Sequence, residues 1–245
     1  MTPPARSPIN RARAAVLYHL RRPFLDRLAR AELAFQLGRI DKNAYYDLLT
    51  EIILERILRP ESVCVDIGCH TGDILRSMMR HAPRGTFHAF EPLPHLFAGL
   101  QRDFRHPNVH LHNLALSNAA GEATFNHVVT NPAYSGLVKR KYDRPEEQDT
   151  SIRVRTERLE GMLADAPRVD FIKIDVEGAE YLVLEGARNL VVRHKPVIVF
   201  EHGKGASDCY GVTPAVLHDL LCQEYGLRIS LLADYLHGRP ALDKS

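Results

Sequence analysis

Cysteine is scarce in this 245-residue chain, and Cys64, Cys69, Cys209 and Cys222 form no Cys-x-x-Cys pair and have no matching histidine spacing. That pattern writes no zinc site and no disulfide scaffold, and it fits reduced thiols in a cytoplasmic protein. Long apolar runs are missing as well. The longest early one, Ala14 to Leu20, contains His19 and is too short for an export signal or a transmembrane segment. The net charge is only +2, too small by itself to argue for nucleic acid. What is present, 45% hydrophobic and 25% charged residues, is an ordinary soluble composition. Length allows one good-sized core, arranged as one large domain or two small ones.

A third glycine is also missing, from the stretch around which the chain is organised, Val63 to Leu75. Val-Cys-Val-Asp-Ile reads as a buried parallel strand carrying Asp66, and Gly68 and Gly72 bracket a tight turn into a helix. The helix begins near Asp73 and starts its amphipathic pattern at once with Ile74, Leu75, Met78 and Met79. Glycine is needed here where the backbone takes positive φ or approaches a ligand closely. The spacing is Asp-x-Gly-x-x-x-Gly and not the Gly-x-Gly-x-x-Gly that cradles a pyrophosphate, so no pyrophosphate site is written.

Ahead of this loop the sequence predicts a helical extension over residues 1–61. Met1 to Asn10 is proline-rich, Arg11 to Arg22 has apolar residues at helical spacing, and Pro23 suits the first turn of a second helix ending at Gly38. Asp41 can cap a third helix, which Pro60 ends. Arg6, Arg11, Arg13, Arg21, Arg22, Arg27 and Arg30 stand against Asp26 alone in the first thirty residues. This face could meet an anionic surface such as a membrane, a nucleotide-sugar or a phosphorylated glycan, but a solvated cap on the core or an oligomer contact is the favoured reading.

From Val63 onward strands and helices alternate, which predicts an α/β domain over residues 62–245 with a mostly parallel, doubly wound sheet. The second strand, Thr86 to Phe90, ends in Glu91, which lies 25 residues after Asp66 and so one βαβ step away. A carboxylate there can accept both ribose hydroxyls of an adenosine. Further strands are predicted over Val109 to Leu114, Val169 to Asp175, Pro196 to Phe200 and Leu227 to Leu232, with a helix from about Thr213 to Tyr225. Gly121 to Val129 and Ser151 to Thr156 read as extended segments. Between them lies a polar insertion, Thr130 to Thr150, with Lys139, Arg140, Lys141 and Arg144, the best candidate for a lid or acceptor-recognition loop. Asn131-Pro132-Ala133-Tyr134 within it is similar to an amino-methyltransferase box but precedes the fourth strand, so it reads as a turn.

Three motifs together carry a more specific resemblance. Val-Asp-Ile-Gly-Cys-His-Thr-Gly, Ala-Phe-Glu-Pro-Leu-Pro and Ile-Lys-Ile-Asp-Val-Glu-Gly-Ala-Glu, with the strand ending Phe200-Glu201, resemble the FkbM family of S-adenosylmethionine-dependent methyltransferases over roughly Ser62 to His202. Cys69-His70 stands where such proteins often carry small or amide residues. The resemblance implies a Rossmann-like class I methyltransferase fold, S-adenosylmethionine as cofactor, and methyl transfer to a hydroxyl, commonly of a sugar or polyketide natural product. It also implies that the loop residues Asp66, Gly68, His70 and Gly72 lie against the methionine and ribose, with Glu91 on the ribose. Asn113, Ala115 and Ser117 would then stand near the adenine, and Asp175 at the cofactor's methyl end.

A hydroxyl acceptor must lose its proton. His202, delivered to the carboxyl-end rim by the fifth strand, is the first candidate base because imidazole titrates near neutral pH. Asp175, Glu177 and Glu201 share that rim and could orient the acceptor or the base, or together hold a divalent cation, although the spacing writes no metal site. The predicted partner is a small-molecule or glycan hydroxyl acceptor, which the basic insertion hints is anionic. Two other functions fit less of the sequence: a nucleic-acid methyltransferase, suggested only by the arginine-rich start, and a non-catalytic cofactor-binding module.

Overall fold

The computed structural model describes residues 26–142, 144, 146–202 and 206–243. Two compact units are present, one drawn from Met1–Arg56 with Leu231–Pro240 and the other from Ile57–Ser230 with Ala241–Ser245.

In the first unit, α1 (residues 26–36) ends where Gly38 takes a φ of 64°, a conformation that costs glycine little. Asp41 then accepts the Ala44 amide at 2.8 Å, capping α2 (Lys42–Ile57) as the sequence predicts. Phe35 stacks on Tyr45 at 4.5 Å between centroids, and Leu28, Leu49, Ile52 and Ile53 are buried. A C-terminal helix, Leu232–His237, belongs to this unit: His237 meets Glu32 at 2.6 Å, and Arg56 donates to the carbonyls of Tyr235 and Leu236. Arg27 pairs with Glu55. The predicted helix over 11–22, Pro23 and the arginines from Arg6 to Arg22 lie outside the described residues.

The second unit is built on two sheets. Strands β1 (Val63–Ile67), β2 (Thr86–Phe90) and β3 (Val109–His112) run to one side. A short β4 (Ala115–Leu116), a long β5 (Gly121–Val128) and β6 (Asp149–Glu157) form a separate three-stranded sheet in the order β4-β6-β5. With β7 (Phe171–Ile174) and β8 (Val197–Phe200) the main sheet has the order β3-β2-β1-β7-β8, every pairing parallel. The strand order reverses between β1 and β7, the place where open α/β sheets hold their ligands. All five residues of β1 are buried, which explains its unbroken apolar character. Helices α3 (Asp73–His81) and α4 (Pro94–Asp103) flank the sheet on the β2 side.

The sheet departs from expectation at its ends. No strand spans 227–232: Leu227 and Ile229 turn onto the core, the Ile229 carbonyl accepts the Leu242 amide at 2.8 Å, and Leu232 already begins a helix. An apolar run therefore served packing without pairing at the sheet edge. The helix expected over 213–225 is divided into Pro214–His218, capped by Thr213, and a π-helical Asp219–Glu224. Asn131-Pro132-Ala133-Tyr134 is indeed a turn, with a 3-10 segment at Pro132–Tyr134.

Candidate active site

Strand ends and two tight turns assemble the site. Gly68 has a φ of 73°, and a Cβ on it would stand 1.8 Å from the Asp175 carbonyl oxygen. Only glycine lets the turn after β1 lie against the backbone at the end of β7, where the Asp175 amide also donates to the Ile67 carbonyl at 2.9 Å. Gly72, at a φ of 81°, would meet the Phe104 ring at 2.5 Å if it carried a Cβ. Both glycines thus accommodate protein against protein, and the amides of Gly68 and Cys69 both donate to the Phe90 carbonyl. His70, itself at a φ of 48°, points its amide at Glu91.

Glu91 is 4% exposed and accepts one backbone amide on each oxygen, from His70 at 3.0 Å and from Leu93 at 2.9 Å. Each oxygen keeps acceptor capacity for a ligand hydroxyl. Burial pushes this carboxyl up to about 7 despite the two amides. Asn113 donates to the carbonyls of Glu91 and Pro92, at 2.8 and 3.1 Å, and so fixes the loop that presents the carboxylate. Ala115 is packed with Leu93, Phe125 and Val154. Ser117 bonds through its amide to Glu157, and its carbonyl abuts Gly186, where a Cβ would come within 2.0 Å.

Asp66 is 1% exposed, and neither carboxylate oxygen has a hydrogen-bond partner among the described residues. Desolvation raises it to about 6, opposed by the charge of Lys173 and by the Leu75 amide, which falls short of a proper hydrogen bond. A buried carboxylate without a partner is costly, and a cationic ligand group or an ordered water would relieve it.

On the other side of the switch point, Asp175 is ion-paired with Lys173 at 2.6 Å. Glu177 adopts a φ of 56°, next to Gly178 at 106°, whose missing Cβ makes room for the Ala206 carbonyl. Its carboxylate pairs with Arg140 from the insertion. Burial pushes Glu177 up to about 8; Arg140 pulls it down, and Asp175, Glu201 and Glu180 push it further up. Glu201 is exposed at the rim, and His202 is half-buried with Nδ1 3.0 Å from the Ser207 hydroxyl. Among the described residues no three His, Cys, Asp or Glu side chains form a metal-binding group.

Several contributors were given no role by the sequence reading. Lys173 stands inside the motif that ends in Glu180, and its pairing with Asp175 could have been found, since the two share a strand face. Glu180 is 3% exposed and closes the turn after β7 by accepting the amides of Val176 and Gly178. Arg140 stood out only as part of the basic insertion, and its pairing with Glu177, like the contacts of Ser207 and Tyr210, carried no local signal because the partners lie on other segments.

The profile of the family described as methyltransferase FkbM domain matches residues 66–228. The chain is similar to the AMB antimetabolite synthetase AmbE of Pseudomonas aeruginosa, 26% identical over 231 residues, covering 78% of this chain and 11% of that protein. It is 31% identical over 145 residues to Methyltransferase 1 of Beauveria bassiana, covering 51% of this chain and 58% of that protein. To the 2-O-methyltransferase NoeI of Sinorhizobium fredii it is 26% identical over 155 residues, covering 58% and 63%. The chain spans less than two thirds of the length of each of these relatives.

Proposed function

Because this chain belongs to the FkbM methyltransferase family, we propose that it methylates a hydroxyl oxygen of a glycan, sugar or related natural product. Its cofactor is S-adenosylmethionine, which supplies an activated methyl group when bound. The observation that supports the reading most is the pair of buried carboxylates, Asp66 on β1 and Glu91 just past the end of the neighbouring β2, beside the Gly68 turn. The residues present fit such a ligand: Asp66 is an orphaned acceptor suited to positive charge, and Glu91 retains acceptor sites suited to a diol.

The protein's own share of the work is binding, orientation and proton removal. Asp66, Gly68, His70, Gly72, Glu91 and Asp175 would hold the cofactor, with Asn113 fixing the Glu91 loop and Ala115 and Ser117 bordering the adenine. Holding both reactants in line can contribute about 7 to 11 kcal/mol. His202 takes the acceptor proton at Nε2, its Nδ1 being engaged by Ser207, while Asp175, Glu177 and Glu201 orient the acceptor. The name of the Sinorhizobium relative, a 2-O-methyltransferase, favours oxygen as the target atom. The catalytic domain is assigned to residues 62–245, with 1–61 as its helical extension.

Incubation with methyl-labelled S-adenosylmethionine and a panel of hydroxylated glycans and natural products tests the proposal. Label should enter an O-methyl group of at least one acceptor class. Label found only on nitrogen, carbon or nucleic acid would overturn it.

A further inference from the structure

Three segments far apart in sequence converge on one side chain. The turn after β7 presents Glu177 in a left-handed conformation, at a φ of 56°. The insertion reaches it through Arg140, and Gly136 lies so near that a Cβ there would be 3.5 Å from the Glu177 Cβ. The 3-10 segment Ser207–Tyr210 closes the third side: Tyr210 accepts the Val138 amide at 3.0 Å, and Ala206 packs on Gly178. Arg140 and Glu177 are each only 16% exposed. The guanidinium of Arg140 also lies over the Tyr134 ring, 4.6 Å from its centroid, while its Nε is buried without a partner.

A non-glycine residue in the left-handed region and a buried, unbonded guanidinium N–H are both unfavourable alone. Their coincidence in one ion pair calls for a reason beyond anchoring a loop, which the Val138 to Tyr210 bond and the Asn126 to Gly136 bridge already provide. We propose that Arg140 is a positioning residue for methyl transfer: from the insertion, it pairs with Glu177 and holds it in its left-handed turn at the acceptor side of the site. The assignment rests on the acceptor-side role given to Glu177 above. Asp175 after β7, Glu180 on its own turn and Glu201 after β8 oppose its ionisation, and Tyr210 beside them carries no positive charge. Arg140 acts against them, and it reaches Glu177 from the insertion.

The test is a carbon-13 NMR titration of the full chain labelled in its glutamate carboxyl groups, with Glu177→Gln assigning the resonance. Arg140→Gln should move the Glu177 midpoint upward by about one pH unit or more, a tenfold change in its protonation equilibrium. Arg140→Lys, which keeps the charge but not the fork, should restore most of the shift. Matching circular dichroism spectra would establish that both variants fold. An unchanged midpoint in Arg140→Gln, or a shift that Arg140→Lys fails to reverse, would overturn the proposal. Calorimetry with S-adenosylmethionine on the unaltered protein separates this from the larger reading: absence of binding there would sink the function while leaving the titration result standing.

Discussion

Asp66 offers the sharpest quantitative consequence. Its carboxyl is raised from an ordinary 3.8 to about 6 by burial, with no hydrogen-bond partner among the described residues. A carboxyl whose folded value lies above its unfolded one favours folding while protonated. Its stabilising contribution is therefore complete below about pH 4 and is lost as pH rises through about 6. At about 1.4 kcal/mol per pH unit, a shift of roughly two units makes the unliganded protein about 3 kcal/mol less stable at pH 7 than this group alone would leave it at pH 4. Asp66→Asn removes the titration but leaves an amide in the same pocket, with its own polar cost. The stability difference between variant and parent at one pH thus mixes two effects. The change in that difference between pH 4 and pH 7 isolates the ionisation, because the amide does not titrate. Urea unfolding followed by circular dichroism is suitable, since the chain has no tryptophan to report by fluorescence. The parent should lose about 3 kcal/mol more than Asp66→Asn across that interval. Parallel curves would refute the description of Asp66 as a buried, uncompensated carboxyl. Because a cationic ligand favours the ionised form, binding of S-adenosylmethionine to the parent should also tighten as pH rises through 6, and the variant should show a weaker dependence, that of Glu91 alone.

Three other outcomes follow from the site. Glu91→Gln should weaken S-adenosylmethionine binding roughly 10- to 100-fold in calorimetry, the scale of losing hydrogen bonds to a charged acceptor, and undiminished affinity would remove Glu91 from the ribose. Gly68→Ala should destabilise the fold by about 2 kcal/mol or more, because positive φ and a Cβ 1.8 Å from the Asp175 oxygen act together; an unchanged melting temperature would contradict the packing described. His202→Ala should lower turnover on an identified acceptor by about 10²- to 10⁴-fold with little change in cofactor affinity, and equal turnover would exclude it as the base.

What the sequence made legible follows from where its signals are local. Gly68, Gly72 and Asp73 punctuate the chain so sharply that β1 and α3 begin where predicted, and Glu91 follows Phe90 at the end of β2 as the spacing requires. The third strand was overextended because Asn113 spends its amide on the carbonyls of Glu91 and Pro92 and ends at His112 as a ladder. The run from Leu227 to Leu232 has strand composition, but its burial comes from packing on the core, a distinction that alternation over six residues cannot carry. The positions of Asp66 and Glu91 were readable because βαβ geometry fixes them. The surroundings of Glu177 were not: Arg140 meets Glu177 across 37 residues of chain through an insertion that has no period of its own. The basic cluster that hinted at an anionic acceptor is partly committed within the protein, Lys139 to Asp149 at 2.5 Å and Arg140 to Glu177.

The central claim is most directly tested by the fate of a labelled methyl group. Supplied with carbon-13 methyl S-adenosylmethionine and hydroxylated glycan or natural-product acceptors, the protein should yield a product whose labelled methyl is bonded to oxygen. Failure of the unaltered protein to bind S-adenosylmethionine, or a labelled methyl attached to nitrogen or carbon, would contradict the account.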